Sequence, residues 1–113
     1  MGTLAIGQVV LVPFPFSDLT RAKMQPAIVL AESGQDDWIL CQVTSNPYGD
    51  DRAIALDEKD FESGSLRVRS YARPGKLFTA NASLISETVG SLNKVTTKKL
   101  IGKLVELFQE GIS

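Results

Sequence analysis

The chain has 113 residues, 43% of them hydrophobic and 22% charged, and a formal net charge of -1. That length supports one core and one domain over residues 1–113, and the apolar content excludes an intrinsically disordered chain. There is no histidine, which removes the commonest general base and metal ligand; the near-neutral charge gives no overall field toward a polyanion, leaving only a local basic face.

Apolar runs such as residues 9–16 and 27–31 are too short for a membrane span of roughly 20 residues. With no basic segment followed by an apolar one at the amino terminus, the expectation is a cytoplasmic protein without a cleaved leader. In chain order, residues 7–12 read as a strand that Pro13 and Pro15 bring to an end near Phe14. Residues 17–25 read as a long polar loop, and residues 26–31 as a central strand entered through Pro26. A turn over 32–37 leads to a second hairpin arm at 38–43, and residues 44–50 form a loop. Cys41, the only cysteine, reads as a buried structural thiol.

Beyond a short strand at 52–56, the alternation from Gly64 puts Leu66, Val68 and Ser70 on one strand face and Arg67, Arg69 and Tyr71 on the other. Short strands follow at 76–79 and 85–92. Leu100, Ile101, Leu104, Leu107 and Phe108 then recur at helical spacing, with Thr96 or Thr97 as cap and Gly111 past the end. Several short strands and one terminal amphipathic helix give a mainly-β fold, a small antiparallel barrel or curled sheet.

The residues that could carry chemistry are the loop cations Arg21 and Lys23, the hydroxyl pair Thr44 and Ser45, and Arg67 with Arg69. Each has an ordinary explanation: solvated cations, a turn bonding its own backbone, a strand face in water. The carboxylates of 50–51 and 57–60 lack the spacing of a calcium loop, and no glycine-rich phosphate motif occurs.

The run Gly7-Gln-Val-Val-Leu-Val-Pro-Phe-Pro-Phe-Ser-Asp-Leu19, followed after a polar loop by Gln25-Pro-Ala-Ile-Val-Leu30, resembles the opening of PemK/MazF toxins. The resemblance continues through Val43-Thr44-Ser45 and, more weakly, Ser70-Tyr71-Ala72-Arg73-Pro74, Leu77-Phe78-Thr79, Val89-Gly90-Ser91-Leu92 and the closing helix. It implies an SH3-like barrel assembled as a homodimer, silenced by a cognate antitoxin, and cutting single-stranded RNA with neither metal nor other cofactor. It also implies an arginine before Pro26 and a Thr or Ser at the third strand's end as the residues acting on the phosphate. Here those positions hold Gln25 and Thr44, with Ser45 as neighbour.

A neutral amide donates a hydrogen bond but cannot neutralise a phosphate. Arg21, Lys23, Arg67, Arg69 or Arg73 would then supply the cation and hold RNA. The alternatives are a non-cleaving relative that binds RNA or antitoxin, and a gyrase-targeting toxin of the CcdB type. The latter carries a carboxy-terminal tryptophan, whereas Trp38 lies mid-chain.

Overall fold

The two most apolar runs of the sequence pair with each other. The computed structural model describes residues 4–13 and 24–112, and in it β1 (Gln8–Pro13) runs antiparallel to β2 (Met24–Gly34). The expected strand end at Phe14 and most of the 17–25 loop, including Arg21 and Lys23, lie outside the described residues. Met24 and Gln25 are not loop: they extend β2 by pairing with Pro13 and Val12. β3 (Asp37–Thr44) returns along β2 through a turn of only two residues, Gln35 and Asp36. Both have positive φ, 54° and 65°, which matches the right-handed strand twist and allows so tight a hairpin.

β4 (Ile54–Leu56), β5 (Phe61–Gly64), β6 (Ser70–Asn81) and β7 (Glu87–Leu92) complete one antiparallel sheet in the order β4-β6-β3-β2-β1-β7-β5. Connectivity forces it to curl. Only residues 57–60 join β4 at one edge to β5 at the other, a reach of at most about 17 Å for five extended steps. Seven flat strands would hold those edges about 29 Å apart. The result is the expected barrel-like sheet, a curled half-barrel with a helix at its carboxy end.

The segment 65–69 is not strand, which corrects the expected arginine strand. Leu66 packs toward the core as alternation requires, but Val68 is 61% exposed and the buried Ser70 turns its hydroxyl onto the Val68 carbonyl at 3.0 Å. Pairing starts only at Ser70, and the strand expected at 76–79 is the far half of β6.

Both faces of the central strands are buried. Val9, Ile28, Cys41 and Leu77 make one cross-strand row, and with Leu30 and Val43 they pack under Leu100 and Leu104 of α1 (Lys94–Gln109). Burying a leucine contributes about 1.5–3 kcal/mol, so these two residues fix the helix. Val10, Val12, Ala27, Val29, Trp38 and Leu40 form a second cluster on the opposite face. The end of the predicted helical stripe stays out of the core, Phe108 being 63% exposed.

Asn93, not Thr96 or Thr97, caps α1: its side chain accepts from the Thr96 amide at 2.8 Å. Because Leu92 still pairs with Phe61, the helix can begin only one residue later. Thr96 instead donates its hydroxyl to Asp60 at 2.8 Å, and the Asn93 amide group donates to the Lys59 carbonyl at 2.9 Å. The edge-to-edge link is thereby sewn to the helix start. Among the described residues no helix is long and apolar enough to cross a membrane.

Candidate nucleic-acid interface

Directly opposed residues of antiparallel strands share a face, so register decides which side chains meet. β2 and β3 pair as Ala27 with Gln42, Ile28 with Cys41 and Val29 with Leu40. Continued by two residues, that register sets Gln25 opposite Thr44. Gln25 also faces Val12 of β1, while Thr44 faces Tyr71 of β6 and Tyr71 faces Ala55 of β4. A single row, Val12-Gln25-Thr44-Tyr71-Ala55, thus crosses five strands on the face opposite the helix.

Arg73 enters the neighbouring row through a bulge. Cys41 pairs with Leu77 and Val43 with Ala72, so four residues of β6, 73–76, oppose the single residue Gln42. Pro74, which has no amide to donate, is tolerated at such a break in the ladder. The Cys41 thiol donates to the Arg73 carbonyl at 3.2 Å, and burial pushes its pKa up to about 12. That accords with the structural role expected of it.

The bulge lays the Arg73 side chain across Gln42, two residues before Thr44. Its Nη1 donates to Gln42 Oε1 at 3.4 Å and its Nε to Asp50 Oδ2 at 2.9 Å. The Asp50 and Arg73 side chains are only 15% and 17% exposed, so water screens this pair poorly. Arg73, the cation that the bulge brings beside this row, is therefore already neutralised. Asp50 was legible only as a turn carboxylate, because its partner lies 23 residues away in sequence.

The other candidates are placed less favourably. Thr44 Oγ1 donates to the Asn46 carbonyl at 3.1 Å and accepts from its amide at 3.2 Å, a turn closed on its own backbone. Ser45 is exposed beside it. Arg69 sits with its guanidinium carbon 5.9 Å from the Tyr71 ring centre and pairs with Asp57 at 3.4 Å, an exposed pair of small energetic weight. Arg67 is exposed, and among the described residues it meets no hydrogen-bond or ion-pair partner. The structure thus gathers Gln25, Thr44 and Arg73, with Arg69 reaching the row through Tyr71, while Arg67 lines a small cleft with Arg69 beside Phe61.

A cleft of about 690 Å³ lies between β4 and α1 and touches the end of this row only at Ala55. Lys59, Lys99 and Lys103 there alternate with Asp57, Asp60 and Glu106, so the charges cancel and no polyanion is favoured. Among the described residues no three His, Cys, Asp or Glu side chains converge to hold a metal.

The Asp50–Arg73 pair has a measurable signature. The guanidinium hydrogen bond, opposed by burial and aided by the Arg52 amide, holds the Asp50 carboxyl below its ordinary range. A carboxyl lowered on folding contributes stability above its unfolded pKa of about 3.9 and loses it as pH falls through the folded value. Asp50→Asn, which keeps an acceptor for the Arg52 amide, is expected to lower stability by about 1–3 kcal/mol at neutral pH. The gap between parent and variant in thermal melts should close below about pH 4. Asp60 shifts the same way, since hydrogen bonds from the Asp57 amide and Thr96 outweigh its burial, but it titrates alike in both proteins and cancels. A gap that stayed constant down to acid pH would show that the pair is not ionic.

The fold is that of the MazF-type toxins. The chain is similar to MazF of Deinococcus radiodurans, with a TM-score of 0.73 over 96% of this chain and 98% of that one at 19% identity. It matches a MazE–MazF structure from the same organism with a TM-score of 0.71 over 96% of each chain at 21% identity. An endoribonuclease from a mycobacterial species gives 0.70 over 96% of this chain and 93% of that one, at 15% identity. No family model and no curated protein matches the sequence, so the likeness is one of fold.

Proposed function

We propose that this chain is the toxin of a toxin–antitoxin pair, acting on single-stranded RNA through the face that carries Gln25, Thr44, Tyr71 and Arg73. The observation that carries this reading is the strand register. The two positions that the PemK/MazF resemblance makes catalytic lie far apart in sequence, and the β2–β3 register, continued, brings them to opposing ends of adjacent strands. The endoribonucleases and the MazE–MazF complex that share the fold support the same class.

The chemistry is attack of an RNA 2′-hydroxyl on the adjacent phosphorus, leaving a 2′,3′-cyclic phosphate and a 5′-hydroxyl. Gln25 donates to a phosphate oxygen, Thr44 or Ser45 acts at the reacting phosphate, and Arg73 supplies the positive charge. Arg69, with Arg67, Arg21 and Lys23 further out, holds the strand by phosphate contacts. The protein acts as a homodimer held in check by a cognate antitoxin. The exposed apolar side chains of Val95, Val105, Phe108 and Ile112 support a second copy on the α1 side.

A second reading, binding of RNA or antitoxin without cleavage, is favoured by three features of the same face. Gln25 is uncharged, Arg73 is paired with Asp50, and the Thr44 hydroxyl is closed on Asn46. Purified protein incubated with single-stranded RNA in EDTA separates the two. Fragments ending in 2′,3′-cyclic phosphate establish the nuclease; retention of intact RNA establishes the binder. Neither result, together with a mass of 12.2 kDa by light scattering instead of twice that value, would sink both readings.

A further inference from the structure

One residue beside this face has no role in the chemistry above and is held at a cost. Tyr48 lies in the loop between β3 and β4, four residues past Thr44 and two before Asp50. Its φ is 54° and that of Gly49 is 74°, and the Asp50 amide closes the turn on the Pro47 carbonyl at 3.0 Å. Two successive positive φ angles across such a turn suit Gly, Asn or Asp; a bulky aromatic residue there is strained. Folding contacts do not repay the strain, because Tyr48 is 75% exposed. A strained, exposed aromatic residue at the rim of a site is an outlier from which function can be argued.

The loop fixes where the ring is presented. On one side the Tyr48 amide donates to Asn46 Oδ1 at 3.0 Å, and the Asn46 amide donates to the Thr44 hydroxyl. On the other, Asp50 is tied to Arg73. The loop is therefore anchored at both ends to residues of the proposed RNA face. Among the described residues, those beside Tyr48 in the loop are mostly polar and exposed, Asn46, Gly49, Asp51 and Arg52, with Pro47 half-buried, so the loop itself offers a protein partner no broad apolar patch. The ring offers a phosphate no charge and only one hydroxyl, so what its face can take is a planar base, not the RNA backbone.

Resting on the RNA reading above, we infer that Tyr48 stacks on an unpaired base of RNA bound along the Gln25-Thr44-Tyr71 row. Stacking on an aromatic side chain demands a base splayed out of any helix, so Tyr48 selects single strands over duplex. It discriminates little among bases, because each of them has a π-face.

The test uses the full-length chain and a 2′-O-methyl RNA strand, which lacks the attacking hydroxyl, with 2-aminopurine placed along it. Tyr48→Ala is expected to weaken binding by about 5- to 100-fold with an unchanged slope against salt, since no phosphate contact is lost. Tyr48→Phe should bind like the parent and quench the same aminopurine. Tyr48→Gly, which suits the positive φ, should melt at a higher temperature than the parent yet bind as weakly as Tyr48→Ala. If Tyr48→Ala folds and binds as tightly as the parent, the inference fails while the RNA reading stands. A Tyr48→Phe loss equal to that of alanine overturns it too, as does a Tyr48→Ala variant that keeps its RNA affinity but loses its dimer. Absence of RNA binding in the parent and in every variant overturns both.

Discussion

Gln25→Arg is expected to raise the rate of single-stranded RNA cleavage by about 100-fold or more, the usual effect of one well-placed transition-state donor. Gln25 is only partly buried and stands opposite Thr44 once the β2–β3 register is continued, so a guanidinium there would reach the phosphate that the proposed function assigns to Thr44. An amide offers donors without charge, whereas a guanidinium offers paired donors and a full positive charge. The charge matters here because Arg73 is bound to Asp50 and must give up that carboxylate before it can neutralise anything else. Single-turnover cleavage in EDTA measures the effect on the chemical step. Equal rates in the two proteins would mean that Gln25 does not touch the reacting phosphate or that Arg73 already supplies the charge; Arg73→Gln in both backgrounds tells these apart.

Gly64→Ala is expected to destabilise the fold by about 3 kcal/mol or more, because among the described glycines it is the one whose added methyl group would meet backbone most closely. Gly64 has φ of 65°, and a Cβ there would lie 2.2 Å from the Val89 carbonyl oxygen and 2.6 Å from the Gly90 Cα. Both are backbone atoms of the strand it pairs with, so relief requires β5 and β7 to part. Opposite it, Gly90 has no room either, because its Cβ would sit 2.9 Å from the Ser63 carbonyl oxygen and 3.1 Å from the Phe61 ring. The facing glycines let the edge strand press onto β7 with an aromatic ring across them. Gly102→Ala is the control: that position is exposed on α1 with nothing within 4 Å, and alanine should be neutral or stabilising by up to about 1 kcal/mol. Urea unfolding of both variants decides the matter, and a Gly64→Ala loss below about 1 kcal/mol would show that the edge has slack.

The central strands were readable because β2 and β3 are runs of β-branched and apolar residues with few other options. The edges were not. Phe61-Glu-Ser-Gly64 offers one apolar side chain and no alternation, and it is a strand only because the link from β4 delivers it beside β7. The converse error came at 65–69, where alternating polarity mimicked a strand but no neighbour was available to pair with it. Gln35-Asp36 gives little sign of a tight hairpin, since the usual glycine or asparagine is missing. For the candidate site, Gln25 and Thr44 stood out in the sequence through the motif that they resemble. Asp50 and Tyr48 did not, because one is defined by a partner on a distant strand and the other by a backbone angle.

The bulge on β6 has a consequence for the chain's only cysteine. Its thiol proton is committed to the Arg73 carbonyl and its pKa stands near 12, so almost no thiolate exists at neutral pH. Oxidants and alkylating agents need that thiolate and a path to it, and the folded protein withholds both. The chain can therefore pass between reducing and oxidising surroundings without its sulfur registering the change. Any modification found on Cys41 would date from before folding or from a moment when β3 and β6 had separated, so it would mark time the chain spent with these strands unpaired.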